Sequence, residues 1–267
     1  MRKNRQKKTA QLKKKIRSNF SLYGIIGIMN DKAQKTALQR LLSTMRNAAQ
    51  KFNMIANGDK IAVGLSGGKD SLALLSAMAA YRLFAPQRFE LAAVTVDMGF
   101  KGMDLAPLTA FCKDLGVPYT IVKTDIAEVI FDIRKESNPC SLCSKMRRGA
   151  LNTEIVKQGY GKLALAHHAD DMAETMLLSL LYEGRLSTFM PVSYLDRTGV
   201  TVIRPFIYTP EKDIKAYSKY VPVVKNPCPA DKHTQREYMK ELIKTIQKDI
   251  PFAKERILTA IDNSLLK

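Results

Sequence analysis

The chain has 267 residues, 46% of them hydrophobic, which suits one large α/β domain with small appendages and argues against wholesale disorder. Lys and Arg outnumber Asp and Glu by 43 to 25, a formal +18 that favours a polyanionic partner, nucleic acid first and an anionic membrane surface second. No run approaches the ~18 apolar residues of a membrane-spanning helix. No secretory signal is read, and four cysteines then suit a reducing cytoplasm better than a disulfide framework.

In chain order, the first 20 residues hold nine basic residues and no acid: Arg2, Lys3, Arg5, Lys7, Lys8, Lys13, Lys14, Lys15 and Arg17. Such an arm is attracted to RNA phosphates, with a transit peptide as the competing reading. From Leu38 to Phe52 apolar residues recur every three or four positions, an amphipathic helix. Ile61 to Leu65 is a short apolar run bounded by turn residues and reads as a buried parallel strand. A helical stripe at Leu72, Leu75 and Met78 and a second strand, Leu91 to Val96, complete a βαβ unit. A helix over Leu105 to Leu115, strands at Tyr119 to Val122 and Leu163 to Ala166, a helix from Met172 to Tyr182 and a strand at Val200 to Ile203 continue the alternation. From about Thr234 one or two Lys-rich helices follow. The expected division is a basic arm and helix over 1–55, an α/β domain over 56–225 and a C-terminal segment over 226–267.

Between the first strand and its helix stands SGGKDS, Ser66 to Ser71. Two glycines let backbone amides close on an anion at a helix start. Lys69 adds a positive charge, the Ser66 and Ser71 hydroxyls can donate, and Asp70 can hold a divalent cation or cap the helix. The spacing is not that of a Walker A loop.

Cys140 and Cys143 form a CxxC pair, and Cys228 follows a proline bend. Three thiolates from two segments fit a four-iron cluster with one open iron; His233 as a fourth ligand would make a zinc site, and a redox dithiol would leave Cys228 unexplained. Cys112 shares a helical face with Leu105, Leu108 and Leu115 and reads as a core residue. After the strand at Leu163 come His167, His168, Asp170 and Asp171, at a carboxyl strand end where open sheets bind ligands. The Asp pair suits Mg²⁺, or equally a capped helix start with Glu174 downstream.

SGGKDS resembles the PP-loop of the adenine nucleotide α-hydrolase-like, Rossmann-like fold. FNMIANGDKIAVGLSGGKDS from Phe52, CSLCSKMRRGALN from Cys140, LAHHADDMAETMLLSLLYEG from Leu165, VIRPFIYTPEKDI from Val202 and NPCPADKHTQREYMKELI from Asn226 are similar to the tRNA 2-thiocytidine biosynthesis family. The resemblance covers roughly residues 35 to 265 and implies an α/β parallel-sheet PP-loop domain with a basic helical N-terminal segment and short C-terminal helices. It also implies ATP split to AMP and pyrophosphate with Mg²⁺, and thiolation of cytidine 32 in a tRNA anticodon loop. Ser66, Gly67, Gly68, Lys69, Asp70, Ser71 and Asp97 would then bind ATP, and Asp70 and Asp171 the Mg²⁺. Lys69, Arg147, Asp170 and Asp171 would be catalytic, Arg148 would contact RNA, and Cys140, Cys143 and Cys228 would hold a [4Fe-4S] cluster whose open iron carries the sulfur. Arg204 is expected only in structure or phosphate contacts. A sulfur donor such as a cysteine desulfurase, a cytoplasmic location and a homodimer are further expectations. Lysidine synthesis, thiouridine formation and nonenzymatic RNA binding are the rivals.

Overall fold

The computed structural model describes residues 31–136, 139–225, 227–229 and 235–266. The RNA contacts expected of Arg2 to Arg17, and any ligand role of His233, lie outside the described residues.

Helix α1 spans Lys32–Lys51 and starts where the Asp31 carboxylate accepts the Ala33 N–H at 2.8 Å, six residues before the apolar stripe begins. Leu38, Leu41 and Met45 share its buried face. Strand β1 is Asp59–Gly64, helix α2 Lys69–Phe84, strand β2 Phe89–Asp97, helix α3 Ala106–Asp114 and strand β3 Tyr119–Lys123. A π-helical turn, Glu128–Ile133, leads to α4, Pro139–Lys157. Then come β4 at Lys162–Ala164, α5 at Ala169–Glu183, the hairpin of β5 (Val192–Leu195) and β6 (Val200–Ile203), α6 at Glu211–Ser218, α7 at Gln235–Asp249 and α8 at Ala253–Ser264.

The six strands order as β3-β2-β1-β4-β6-β5, parallel except for β5, which pairs antiparallel with β6 at the edge. Both faces of the parallel part are covered, as continuous apolar runs require. Ile61 and Val63 of β1 and Leu91 and Ala93 of β2 enter one core with α1, α2, α6, α7 and α8. Ala62, Val94 and Val96 face the other side, with Ile130 of the π turn and Leu151 and Ile155 of α4. Helix α2 is buried on every side, from Ser71 to Tyr81, because α1 and α6 cover the face turned away from the sheet. Truncating Leu41, with 0% of its surface exposed, to Ala would cost about 2–5 kcal/mol.

The chain runs from β1 outward to β3, then returns to the other side of β1 with β4. The crevice between the carboxyl ends of β1 and β4 is therefore the switch point where such sheets take ligands. SGGKDS leaves the first of these strands and HHADD the second. Among the described residues no helix is long and apolar enough to cross a membrane.

Candidate active site

Gly67 has φ +81, a left-handed conformation that glycine adopts without a steric penalty, and a Cβ there would stand 3.3 Å from Val224 Cβ. Gly68 is the N-cap of α2, extended and without a side-chain cap, so the first amides of the helix stay open to an anion. The serines brace the turn. Ser71 Oγ donates to the Gly68 carbonyl at 3.0 Å and accepts the Ser66 N–H at 3.1 Å, while the Gly68 N–H reaches Ser66 Oγ at 3.3 Å. Lys69 Nζ lies 2.9 Å from Asp70 Oδ1 and 3.3 Å from Glu211 Oε1. Burial works against its charge, but these two carboxylates outweigh burial and raise its pKa.

Helix α5 opens with a capping box in which His168, not an aspartate, is the N-cap. The Asp171 N–H donates to His168 Nδ1 at 3.3 Å, and Asp171 Oδ2 accepts the His168 N–H at 3.0 Å. His168 Nε2 stands 3.5 Å from Asp171 Oδ2 and 3.8 Å from Asp70 Oδ1, so one imidazole bridges the carboxylates expected at Mg²⁺. Asp171 Oδ1 also accepts from Arg236 of α7 at 3.0 Å. Asp170 has other partners: it accepts the Glu211 N–H at 2.7 Å, starting α6, and pairs with Lys254 of α8 at 2.5 Å. Burial would raise its pKa, but Lys254 and the Glu211 amide overcome that and hold it low. Glu211 receives Lys69, Lys215 and Lys240, which against the effect of burial bring its carboxyl down to about 2. Asp97, at the carboxyl end of β2, accepts the Gly99 N–H at 3.0 Å and shapes the turn after the strand.

Cys140 and Cys143 sit in the first turn of α4, three residues apart and so on one side of the helix. The Cys143 thiol contacts the Met98 sulfur at 3.5 Å. Burial pushes its pKa up, Arg147 opposes this, and the charges of Cys228 and Cys140 add to the rise. Cys228 follows Val224 by four residues, and the Val224 N–H donates to the Gly67 carbonyl at 3.0 Å. Among the described residues no group of three His, Cys, Asp or Glu is gathered closely enough to hold a metal ion. The donor chemistry nonetheless fits an iron-sulfur core: three thiols share one neighbourhood, and their mutual repulsion as thiolates is what a cationic core relieves. Cys112 is fully buried, its thiol pushed up to about 12 by burial.

The family model of the PP-loop domain matches residues 35–246. The chain is 37% identical over 235 residues to a tRNA-cytidine(32) 2-sulfurtransferase of Citrifermentans bemidjiense, covering 86% of this chain and 92% of that one. It is 38% identical over 244 residues to the enzyme of that name from Pseudomonas fluorescens, covering 90% and 88%. The chain belongs to the tRNA-cytidine(32) 2-sulfurtransferase family. Among solved structures it resembles a U34-tRNA thiolase from Methanococcus maripaludis with its [4Fe-4S] cluster, at TM-score 0.71 and 25% identity, covering 86% of this chain and 79% of that one.

In this tRNA-cytidine(32) 2-sulfurtransferase homologue the crevice gathers Ser66 to Ser71, His168 and Asp171, and Val224, four residues before Cys228, bonds to the phosphate loop. Arg147 and Arg148 are exposed on α4 beside the CxxC. Asp170 anchors the start of α6, and Asp97 shapes the turn after β2. Sequence reasoning assigned no role to Glu211, the partner of Lys69, or to Arg236, the partner of Asp171. Glu211 lies in TPEKDI, a stretch already similar to the family, and that similarity was the available signal.

Proposed function

We propose that this protein uses ATP to thiolate cytidine 32 in the anticodon loop of tRNA, giving 2-thiocytidine, AMP and pyrophosphate. The observation that carries the reading is the Val224 to Gly67 hydrogen bond, which fastens the Cys228 segment to the phosphate loop. Nucleotide activation and sulfur delivery then share one crevice. The names of the relatives support the substrate, and the cluster of the U34-tRNA thiolase supports the cysteine assignment.

The open amides of the first turn of α2, the Ser66 and Ser71 hydroxyls and the charged Lys69 would hold the ATP phosphates, with Asp70 and Asp171 as the Mg²⁺ ligands. The pyrimidine 2-oxygen attacks the α-phosphorus, an O–P bond forms, and pyrophosphate leaves. Sulfide then forms a bond to C2, the C2–O bond breaks, and AMP departs with the oxygen. Lys69 and Arg147 offset negative charge as it develops on the phosphates. A [4Fe-4S] cluster on Cys140, Cys143 and Cys228 would supply an iron without a protein ligand as the carrier of sulfide, which a donor such as a cysteine desulfurase yields once a thiol reductant gives its persulfide sulfur two electrons. Asp170 acts on the site by anchoring Glu211 and Lys254.

The test is anaerobic reconstitution with iron and sulfide, followed by iron analysis and nucleoside mass spectrometry of tRNA incubated with ATP. About four irons per chain and ATP-dependent 2-thiocytidine are expected. Activity in an iron-free, zinc-loaded protein would sink the cluster, and 2-thiouridine or lysidine as product would sink the substrate.

A further inference from the structure

Phe189 lies between two cationic or potentially cationic side chains at the carboxyl ends of β4 and β6. Its ring centroid is 4.9 Å from that of His167 and 5.2 Å from the Arg204 guanidinium carbon. Arg204 donates from Nη1 to the Met190 carbonyl at 2.6 Å and to Ser193 Oγ at 3.2 Å, and among the described residues no carboxylate pairs with it. Among the described residues its buried Nε has no partner, and neither has His167 Nδ1. Such orphaned buried atoms are uncommon and point to a group that arrives with the ligand.

Helix α4 closes the third side. A Cβ on Gly64 would touch both Leu151 of α4 and Leu165, which sets the helix against the end of β4 two residues before His167. Arg148, one turn before Leu151, is exposed and makes no ion pair among the described residues; burial brings the pKa of Arg204 down to about 10, and the charge of Arg148 adds to that effect. Asn152 Oδ1, one turn beyond Arg148, is the third buried side-chain atom left unpartnered among the described residues. Burial, then Arg204, brings the His167 pKa down to about 4 against the pull of Asp171, so its ring is neutral and can place a single N–H on Nδ1. Two guanidiniums that no carboxylate pairs among the described residues, and one ring N–H on which Asp171 acts only through space, make a site for an oxyanion.

We propose that Arg204, Arg148 and His167, braced by Phe189, form a second phosphate subsite beside the PP-loop that takes a backbone phosphodiester of the RNA substrate. This rests on the reading that the substrate is RNA. A phosphate held there orients the strand so that the neighbouring base reaches the nucleotide loop, in a division where phosphate contacts position and base contacts specify. The pyrophosphate released from ATP carries the same chemistry and is the alternative source.

Binding of a fluorescent anticodon stem-loop RNA, over a series of salt concentrations, and of ATP and inorganic pyrophosphate separates the two. Wild type, Arg148→Gln and Arg204→Lys are compared; Arg148 is exposed, so its variant keeps the fold, and circular dichroism checks the other. The expected result is weaker RNA binding in both variants, with a salt slope smaller by about one in Arg148→Gln and with ATP and pyrophosphate affinities unchanged. Loss of pyrophosphate affinity with RNA binding intact would assign the subsite to the leaving group and overturn the RNA assignment. Wild-type RNA affinity and slope in both folded variants would overturn the subsite. Failure of the wild type itself to bind RNA would instead strike the functional reading on which the proposal rests.

Discussion

The backbone N–H of Val224 donates to the carbonyl of Gly67 across 3.0 Å, joining the segment of the third cysteine to the turn that receives the nucleotide. The bond runs between backbone atoms, while the Val224 side chain packs against the main core. A Cβ on Gly67 would stand 3.3 Å from Val224 Cβ, and alanine at φ +81 adds strain of about 1–2 kcal/mol. Gly67→Ala should therefore lower the melting temperature and weaken ATP binding by about tenfold, equivalent to 1.4 kcal/mol. Calorimetric titration with ATP checks it, and wild-type affinity would mean that the turn tolerates a side chain and does not close on phosphate.

Lys69 and Glu211 give a second prediction. Glu211→Gln leaves Lys69, Lys215 and Lys240 facing one another without their shared carboxylate, at a cost of about 2 kcal/mol. The folded Glu211 titrates at about 2, below its ordinary 4.5, so its stabilisation is complete above pH 4.5 and fades as pH falls toward 2. The gap between wild type and variant should thus be steady at pH 6, roughly halved at pH 3 and nearly gone at pH 2, as read by urea denaturation. ATP should raise the melting point of the variant more than that of wild type, because its phosphates replace the lost negative charge on Lys69.

The parallel sheet was legible because buried strands such as Ile61 to Leu65 and Leu91 to Val96 are short apolar runs between turn residues. The hairpin strand Val192–Leu195 was not, since an edge strand with Tyr194 exposed carries no continuous apolar run. Helix α4 was hidden for a similar reason: it buries only Leu151, Asn152 and Ile155 and begins at Pro139-Cys140. At the site, SGGKDS and HHADD announced themselves through residue type and place. The roles of Asp170 and Asp171 could not be separated, because partners at Lys254 and Arg236 are 84 and 65 residues away and leave no local pattern. Glu211 was missed on the same ground, its meaning resting on Lys69 across the crevice.

The cysteines divide cleanly by environment. Cys112, fully buried with its thiol pushed up to about 12, has no route to a metal, whereas Cys140, Cys143 and Cys228 are all at least partly exposed and close enough for charge on two to raise the third. Reconstituted Cys112→Ala should keep its iron and its 2-thiocytidine activity at a stability cost of about 1 kcal/mol. Alanine at any of the other three should remove most of the bound iron and the thiolation, while ATP binding survives. Iron retained in Cys228→Ala would show that the third ligand lies elsewhere.

Glu174, three residues beyond Asp171 on α5, is 5% exposed, and its carboxyl is raised from 4.5 to about 7 by burial and then by Asp171, against the pull of Arg236 and Lys240. A carboxyl raised on folding favours the folded state only while it is protonated. The unfolded chain gives up this proton from pH 4.5 upward, so a penalty grows through the interval and levels off above about pH 7. Gln keeps the shape and cannot ionise. Glu174→Gln should match wild type at pH 4 and exceed it by about 2–3 kcal/mol at pH 8, measured by denaturant unfolding at each pH. A difference of equal size at both pH values would mean that Glu174 is charged in the folded protein, with Arg236 and Lys240 neutralising it. Arg236 would then be divided between Glu174 and Asp171, and less of its charge would be free to hold Asp171 at the crevice.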